Sequence, residues 1–370
     1  MSDLNVVVVG AGRSGRDLHM ASYNVIPRTK IVAICDPDEN HASIAAGDFN
    51  VSHYYSKLED ALNKHDVDIV SICSPPQYHL QQIKMAMEAG ANVLTEKPMV
   101  VTKEEAEQVN KLVSSNRSKF SVVHNQHFEK HMILIADLLR QKQLGSVLSI
   151  DITHRRNGHL DRMIKDPGCW VHQLPGGRWE EMLPHDLYFA YRIFGKMNLV
   201  SAAIRKDRNS PWPYLISEDA VVTFQGERGF LNISFFASIE EKMGKKIILH
   251  GTKNGLIMDQ NDLAINYGYI DLNKKILESR KPVGRRLRKA YEKTKRLLPE
   301  EIKNSIKGYL RKQGSELSVN AAHYRIIKQF VDHVAGEAET PVSWDEAYST
   351  FSSACDGGLA LQNAVKQRMI

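Results

Sequence analysis

The first 125 residues alternate between short runs of apolar, β-branched residues and longer stretches with helical periodicity. The apolar runs predict five strands: Asn5–Val9, Lys30–Cys35, Asp68–Cys73, Asn92–Thr95 and Phe120–His124. The stretches between them predict helices that include Gly15–Ile26, Tyr78–Ala89 and Lys103–Ser114. Continuous apolar strands that alternate with helices are typical of βαβ units, which bury a parallel sheet on both faces. Residues 1–125 are therefore predicted to form a doubly wound α/β domain of the Rossmann type.

The pattern changes near Gln126. One predicted helix, His131–Gln141, is followed by strand-like segments with few helices between them: Ser146–His154, Leu199–Arg205, Ala220–Phe224, Gly229–Ala237, Lys246–His250 and Gly255–Met258. This spacing indicates a mostly antiparallel open sheet. A helical pattern returns at Ser343–Gln367, and the pattern alone does not show what this helix packs against. Residues 126–370 are therefore predicted to form a second, α+β domain.

Composition supports a two-domain globular chain of 370 residues, with 42% hydrophobic and 25% charged residues. No apolar run reaches the roughly 18 residues that a membrane span needs. The N-terminus has no basic stretch before its apolar run, so it favours a first strand over a signal peptide. The four cysteines are widely spaced, which argues against a zinc or redox motif. We therefore expect a cytoplasmic protein without a bound metal.

The positive charge of the chain is concentrated in one segment. Between Lys274 and Lys312 there are fifteen Lys and Arg against four Glu, whereas the rest of the chain is net negative. The absence of a generally basic surface argues against nucleic-acid binding. Apolar residues recur in this segment at roughly helical spacing, which leaves three interpretations open. The segment could pack on its own domain or on a second subunit, contact an anionic membrane peripherally, or bind another acidic partner.

Residues 10–15 have the sequence Gly-Ala-Gly-Arg-Ser-Gly, which follows the first predicted strand and opens a helix. In this context the pattern is typical of a dinucleotide site, because the glycines permit a tight turn, close approach of a pyrophosphate and close helix packing. The helix N-terminus then favours the anion. The residues predicted here to contact the cofactor are Gly10, Gly12, Arg13, Ser14 and Gly15. A structural glycine turn is the alternative.

Asp36 lies 21 residues after Gly15, at the end of the second predicted strand. A carboxylate there accepts hydrogen bonds from the ribose hydroxyls and repels the 2′-phosphate of NADP, so we predict NAD as the cofactor. The third strand ends in Ser74-Pro75-Pro76, with His79 just beyond. Because strand ends line the ligand crevice of such sheets, Ser74, Pro75 and His79 are also predicted to line the cofactor site. A purely structural role is the alternative for His79.

The fourth predicted strand runs into Glu96-Lys97-Pro98. Pro98 restricts Lys97 to extended backbone geometry, which places a lysine at the edge of the crevice. Glu96 and Lys97 are therefore predicted to lie beside the cofactor. A solvated charged loop is the alternative that generic sequence logic leaves open.

Together these motifs resemble the glucose–fructose oxidoreductase, inositol dehydrogenase and rhizopine catabolism (Gfo/Idh/MocA) family. The resemblance covers nearly the whole chain and continues through Pro175-Gly176-Gly177, Glu181 with His185, and Thr340-Pro341-Val342. It implies that Lys97 stabilises the oxygen of the reacting carbinol and that His185 is the general acid/base, with Glu181 at the family's acidic position. Two departures stand out. Glu181 occupies a position that is usually Asp, and Tyr188 occupies one that is usually acidic.

A polar, aromatic-rich part of the second domain is predicted to bind substrate, because aromatic rings suit sugar C–H surfaces and arginines suit phosphates or carboxylates. Its candidate residues are His127, Arg155, Trp170, His172, Arg178 and Trp179. An ordinary surface loop with structural tryptophans is the alternative.

The predicted function is NAD(H)-dependent oxidation of a secondary alcohol on a sugar, cyclitol or nucleotide-linked sugar, by a dimer or tetramer. An NAD-retaining epimerase or eliminase and a non-catalytic NAD-binding sensor are the alternatives.

Overall fold

The computed structural model describes residues 3–239, 244–259, 262–266 and 320–368. The basic segment at 274–312 lies outside these residues, so its three interpretations stay predictions. None of the helices in the described ranges combines the length and apolar character needed to cross a bilayer.

A six-stranded parallel sheet lies in the N-terminal part of the chain, with strand order β3-β2-β1-β4-β5-β6. Its strands are β1 (Leu4–Val9), β2 (Thr29–Cys35), β3 (Tyr54–Tyr55), β4 (Ile69–Ile72), β5 (Asn92–Thr95) and β6 (Phe120–Val122). Its helices are α1 (Ser14–Met20, continued by Ala21–Tyr23), α2 (Glu39–Phe49), α3 (Leu58–Lys64), α4 (His79–Glu88) and α5 (Lys103–Ser115). The prediction of a Rossmann-type domain is confirmed. The strand order reverses direction between β1 and β4, which is where such sheets bind their ligands.

A seven-stranded sheet follows, in the order β13-β12-β11-β7-β10-β9-β8. Its strands are β7 (Val147–Arg155), β8 (Asn198–Arg205), β9 (Asp219–Gln225), β10 (Phe230–Phe236), β11 (Gly244–Gly251), β12 (Gly255–Asp259) and β13 (Asp262–Asn266). The pairing of β10 with β7 is parallel and the other pairings are antiparallel. The prediction of a mostly antiparallel second sheet is therefore confirmed.

The alternation of buried and exposed side chains along β10 shows why this sheet could be predicted from the sequence. Leu231, Ile233 and Phe235 are fully buried, whereas Asn232 and Ser234 between them are partly exposed. One face of the sheet thus packs on a core, and the other stays open. The remaining helices are α6 (Lys130–Arg140), α7 (Arg162–Lys165), α8 (Gly177–Phe194), α9 (Ala321–Val334) and α10 (Trp344–Arg368).

The last two helices connect the two halves of the molecule. In α9, Ile327 and Phe330 are fully buried in the core of the first sheet, although they lie some 200 residues further along the chain. The helix α10 begins in that same core with Phe351 and reaches the second core with Leu361. The end of the chain therefore fixes the Rossmann half against the second half.

The helix α8 packs closely along α10 at a pair of glycines. A Cβ atom at Gly358 would lie 2.1 Å from Oε2 of Glu180, which is itself buried and accepts a hydrogen bond from the Gly176 N–H. Burial raises the pKa of Glu180 to about 7. Gly358 is therefore needed for the two helices to approach each other around a buried carboxyl group.

We expect Gly358→Ala to lower the free energy of unfolding by about 1–3 kcal/mol, the usual cost of overpacking. Gly47→Ala is the matched control, because Gly47 is also helical and no atom lies within 4 Å of its added Cβ. That control should be neutral or slightly stabilising. Urea unfolding of both variants checks the prediction, and equal stability of the two would contradict it.

Candidate active site

The glycine-rich loop lies at the point where the first sheet reverses its strand order. Gly10 has a positive φ of 94°, and a Cβ there would lie 2.8 Å from the carbonyl carbon of Cys73 at the end of β4. A Cβ on Gly15 would lie 1.8 Å from the Gly10 oxygen. A Cβ on Gly12, by contrast, would meet nothing within 4 Å. Two glycines therefore let the loop pack, and the third leaves open space before α1, where a pyrophosphate fits.

Asp36 holds its carboxylate beside this loop. Its Oδ2 accepts a hydrogen bond of 2.7 Å from the Ala11 N–H, and its Oδ1 accepts one of 2.9 Å from the Asp38 N–H. Arg16 forms an ion pair of 2.7 Å with Asp48 on α2. Arg16 is thus engaged by a carboxylate other than Asp36. Arg13 is exposed at the start of α1.

His79 connects two loops at the edge of the crevice. Its Nε2 lies 2.7 Å from the Ser74 carbonyl oxygen, and its Nδ1 lies 3.1 Å from the carbonyl oxygens of Pro98 and Met99. The side chain is only 1% exposed. Both ring nitrogens face backbone carbonyls, so the residue positions the Ser74-Pro75 and Lys97-Pro98 segments relative to each other. That His79 also contacts the cofactor stays a prediction.

Glu96 joins three elements that are distant in sequence. Its carboxylate accepts hydrogen bonds from Ser14 Oγ at 3.0 Å and from the Lys97 N–H at 3.2 Å, and it lies 3.1 Å from Nε2 of His19. His323 on α9 approaches it at 3.5 Å. Burial alone would raise the pKa of Glu96, but hydrogen bonds from the two histidines hold that pKa well below its usual value. Sequence reasoning missed both histidines, and no motif marks His323.

Lys97 projects from the end of β5 to α8. Its Nζ donates a hydrogen bond of 3.1 Å to the backbone oxygen of Glu181 and another to Oε1 of the same residue. The other carboxylate oxygen of Glu181 accepts a hydrogen bond from Arg178. Burial would raise the pKa of Glu181, but the charges of Lys97 and Arg178 hold it at about 2. Glu181 is therefore an anion that anchors the lysine.

The chain of charges continues beyond Arg178. Asp161 accepts a hydrogen bond of 3.2 Å from Arg178 and one of 3.0 Å from Arg156. Three cations thus alternate with two carboxylates, Glu181 and Asp161, in a largely buried row. The row has one positive charge in excess, which favours a negative charge that develops on a nearby oxygen.

His185 is the one residue between Gly177 and Ala190 of α8 that is not fully enclosed. The helix continues through Pro184, so Glu181 and His185 share a face at a spacing of four residues. Burial, followed by the charges of Lys97 and Lys245, lowers the pKa of His185 well below its ordinary value. The ring is therefore neutral at physiological pH and lies beside the end of Lys97.

Tyr188 lies behind His185. Its Oη lies 2.9 Å from Nδ1 of His185 and accepts a hydrogen bond of 3.0 Å from the Gln126 N–H. Burial raises the pKa of Tyr188 well above its usual value, so the phenol keeps its proton. The tyrosine that replaces the family's usual acid therefore contacts the histidine directly.

Asp186 lies on the same turn of α8 as His185 and pairs with Lys245 of β11. Asp186 is fully buried and lies 2.7 Å from Nε2 of His154 and 2.8 Å from Nζ of Lys245. Lys245 also donates a hydrogen bond of 2.9 Å to the side-chain oxygen of Gln126. These contacts attach α8 to β7 and β11, and they fix the backbone on both sides of His185.

His127 belongs to a group around Glu346 and not to the substrate surface. Nδ1 of His124 and Nε2 of His127 lie 2.9 and 2.8 Å from Oε1 of Glu346, and Arg192 donates to its Oε2 at 3.0 Å. The three ligand-type atoms lie within 4.8 Å of one another. The guanidinium beside the carboxylate opposes a metal cation, and the histidines already satisfy the other oxygen. The two rings pack against Tyr188, with centroids 4.3 and 4.5 Å away.

Three more of the predicted substrate residues have structural roles. Trp179 is fully buried, donates to the backbone oxygen of Ser217 at 3.1 Å and stacks on Phe235, so it is a core residue. His172 lies 2.9 Å from the Met163 carbonyl oxygen and thereby holds its own loop. Arg178 is buried in the charge row. The enclosed position of Trp179 speaks against contact with substrate, whereas contact by the half-buried His172 and by Arg178 stays a prediction.

Arg155 and Trp170 keep accessible side chains. Arg155 ends β7, about one third exposed, with Asp259 at 3.6 Å. Trp170 is partly exposed and begins a short helical turn, Trp170–Gln173, that packs against α8. Both therefore remain predicted substrate contacts.

The comparisons with known proteins agree with this geometry. Residues 4–124 match the oxidoreductase family with an NAD-binding Rossmann fold, and residues 132–257 match the GFO/IDH/MocA C-terminal domain. The chain belongs to the GFO/IDH/MocA oxidoreductase family. Membership confirms both the predicted resemblance and the prediction of an NAD-binding oxidoreductase.

Among members of the family, the chain is 29% identical over 188 residues to the uncharacterized oxidoreductase YrbE of Bacillus subtilis, which covers 51% of this chain and 53% of that protein. It is 29% identical over 147 residues to D-glucoside 3-dehydrogenase of Escherichia coli, covering 40% of this chain and 41% of that protein. The chain thus spans about half the length of the first relative and less of the second.

The solved structure of myo-inositol 2-dehydrogenase from Lactobacillus plantarum superposes with a TM-score of 0.71 at 17% identity. The superposition covers 99% of this chain and 98% of that one. At this level of identity the likeness shows the fold alone.

We expect NAD to bind at least about tenfold more tightly than NADP, a difference of about 1.4 kcal/mol, because the Asp36 carboxylate repels an added phosphate. Asp36→Asn keeps the size of the side chain but removes its charge, and it should narrow this ratio. Asp38→Asn is the control, since Asp38 is an exposed helix cap and asparagine caps equally well. Titration of each variant with both nucleotides provides the measurement. A wild type that binds NADP as tightly as NAD would contradict the prediction.

Proposed function

We propose that this protein interconverts a secondary alcohol and the corresponding ketone on a polyhydroxylated small molecule: a sugar, a cyclitol or a nucleotide-linked sugar. The observation that carries the proposal is that Lys97, from the end of β5, reaches Glu181 on α8 and lies close enough to His185, one turn further along that helix, for its charge to lower the pKa of the ring. Both lie at the crevice that holds the glycine-rich loop. The names of the relatives support the substrate class, because one is a D-glucoside dehydrogenase and another a myo-inositol dehydrogenase.

Each residue of the proposed site has a separate role. Bound NAD accepts or supplies the hydride at its nicotinamide ring. Gly12 and Asp36 are the residues that would hold its pyrophosphate and ribose. Lys97, fixed by Glu181, stabilises the negative charge that develops on the reacting oxygen, and the excess positive charge of the row behind it assists. His185 contacts the same oxygen from α8. Arg155 and Trp170 are the proposed contacts to the rest of the substrate.

Turnover tests this proposal directly. Purified full-length protein is incubated with NAD and, separately, with free, phosphorylated and nucleotide-linked sugars and with cyclitols, while NADH absorbance is recorded. We expect steady NADH formation with one of these classes. A changed sugar without NADH release would instead indicate the NAD-retaining epimerase or eliminase alternative. No turnover of any compound would favour the sensor alternative and contradict the proposal.

With an active substrate in hand, Lys97→Ala should lower kcat by roughly 10²–10³-fold, the usual cost of losing one donor to a developing oxyanion. NAD affinity should change little, because Lys97 lies outside the glycine-rich loop. Lys103→Ala is a matched control, since Lys103 also pairs with a carboxylate, Asp356, but on the outer surface of the fold. Steady-state kinetics and thermal melting of both variants are compared. Near-normal turnover of Lys97→Ala in a folded protein would remove Lys97 from the mechanism.

A further inference from the structure

The hydrogen-bond pattern around Tyr188 decides which nitrogen of His185 carries a hydrogen. The backbone N–H of Gln126 can only donate, so its 3.0 Å hydrogen bond occupies an acceptor position of the Tyr188 hydroxyl oxygen. The phenol hydrogen then needs an acceptor of its own. Among the described residues, the acceptor in reach is Nδ1 of His185, at 2.9 Å.

The other neighbours of Tyr188 offer no competing acceptor. His124 stacks on the tyrosine ring, and His127 packs against it at a tilt. In each histidine one ring nitrogen approaches a polar group: Nδ1 of His124 and Nε2 of His127 are both directed at Glu346. The phenol hydrogen is therefore directed to His185, which requires Nδ1 to carry a lone pair.

We propose that Tyr188 is a positioning residue that holds neutral His185 in the tautomer with its hydrogen on Nε2. This inference rests on the proposed function for its consequence but not for its geometry. Within the described residues, no partner occupies Nε2, and His185 is the one incompletely buried residue on its stretch of α8. The N–H is therefore available to a bound substrate.

The tautomer changes the role that the family resemblance implies for His185. An Nε2 that carries a hydrogen has no lone pair, so it donates a hydrogen bond to the reacting oxygen and does not accept the hydroxyl proton. A carboxylate at position 188 would have the opposite effect, because it accepts a hydrogen from Nδ1 and frees Nε2 as a base. With tyrosine in place of the usual acid, Nε2 of His185 is thus a hydrogen-bond donor and not an acceptor.

The proton is then exchanged with Lys97. In the reduction direction the Lys97 ammonium, which pairs with Glu181, gives one hydrogen to the substrate oxygen that becomes anionic and is left as the amine, and oxidation is the reverse of this transfer. Two hydrogens of Nζ are donated to the backbone and side chain of Glu181, which leaves the third for the substrate oxygen. The low pKa of His185 and the high pKa of Tyr188 agree with this arrangement, since both groups keep their neutral forms.

The first test reads the tautomer itself. Full-length protein labelled with ¹⁵N-histidine is studied by long-range ¹H–¹⁵N NMR, and the ring of His185 is assigned, among 15 histidines, by its disappearance in His185→Gln. We expect the wild-type ring to carry its hydrogen on Nε2. In Tyr188→Phe this preference should be lost and the other tautomer should appear. A wild-type ring with its hydrogen on Nδ1, or an unchanged ring in a folded Tyr188→Phe, overturns the proposal.

Tyr55→Phe is the matched control for this spectrum. Tyr55 also places its hydroxyl 3.0 Å from a histidine nitrogen, Nε2 of His65, on the far side of the first sheet. Loss of the Tyr55 hydroxyl should shift the NMR signals of His65 and leave those of His185 in place. This control separates the effect of one specific hydroxyl from a general response to a tyrosine substitution.

The second test uses a substrate found in the turnover panel. It compares variants of His185 that keep or lose a hydrogen-bond donor. His185→Gln keeps an N–H donor, whereas His185→Leu does not, so we expect Gln to retain at least about tenfold more kcat than Leu. The groups that face His185 are Lys97, Glu96, Lys245, Asp186 and Tyr188. Because Lys97 exchanges the proton, the pH profile of kcat/KM in His185→Gln should keep the inflections of the wild type. Equal loss in both variants, or loss of an inflection in Gln, overturns the proposal.

The NMR test fails independently of the proposed function, because it needs no substrate. If no compound of the panel turns over, the NMR result still decides the tautomer. If turnover is found and the ring carries its hydrogen on Nδ1, the oxidoreductase assignment stands and His185 is a base.

Discussion

The ion pair between Lys97 and Glu181 is the contact on which the geometry of the site depends. It joins the end of a strand in the first sheet to a helix that packs on the second sheet, and both side chains are about nine-tenths buried. A buried charge without a partner costs several kcal/mol, so each residue requires the other to be in place. The lysine is thereby held at one position between the first sheet and α8.

The surrounding residues serve to keep that pair aligned. On the first half, Glu96 gathers Ser14, His19 and His323, so that the glycine-rich helix, the end of β5 and α9 share one carboxylate. On the second half, Arg178 holds the far oxygen of Glu181. The glycine-rich loop and Lys97 are thus positioned by the same buried polar network. The shared hydrogen bonds restrain the side chains of this network, which suits a site that must hold two reactants in register.

The charges within this network also separate the roles of neighbouring carboxyl groups. Glu180 and Glu181 are adjacent in sequence, yet burial among apolar groups raises the pKa of Glu180 to about 7, whereas two cations hold that of Glu181 at about 2. Glu180 is part of the packing between α8 and α10, and Glu181 is part of the active site. Residue type alone does not distinguish them, because the pKa of each depends on what surrounds it.

The sequence by itself determined the two sheets, the glycine-rich loop, Asp36 and the position of Lys97 at the end of β5. These features depend on local periodicity and on short-range backbone requirements, which neighbouring residues encode. It predicted less well where polar side chains contact residues far along the chain. His79, Trp179 and His172 have residue types that suit a ligand site, but each also has a hydrogen-bond partner within the protein. The joining of α9 to the first core, the gathering of His19 and His323 on Glu96, and the contact of Tyr188 with His185 were decided only by the tertiary structure. Each pairs groups whose separation in space follows from the packing of whole elements, and local pattern carries no record of that packing.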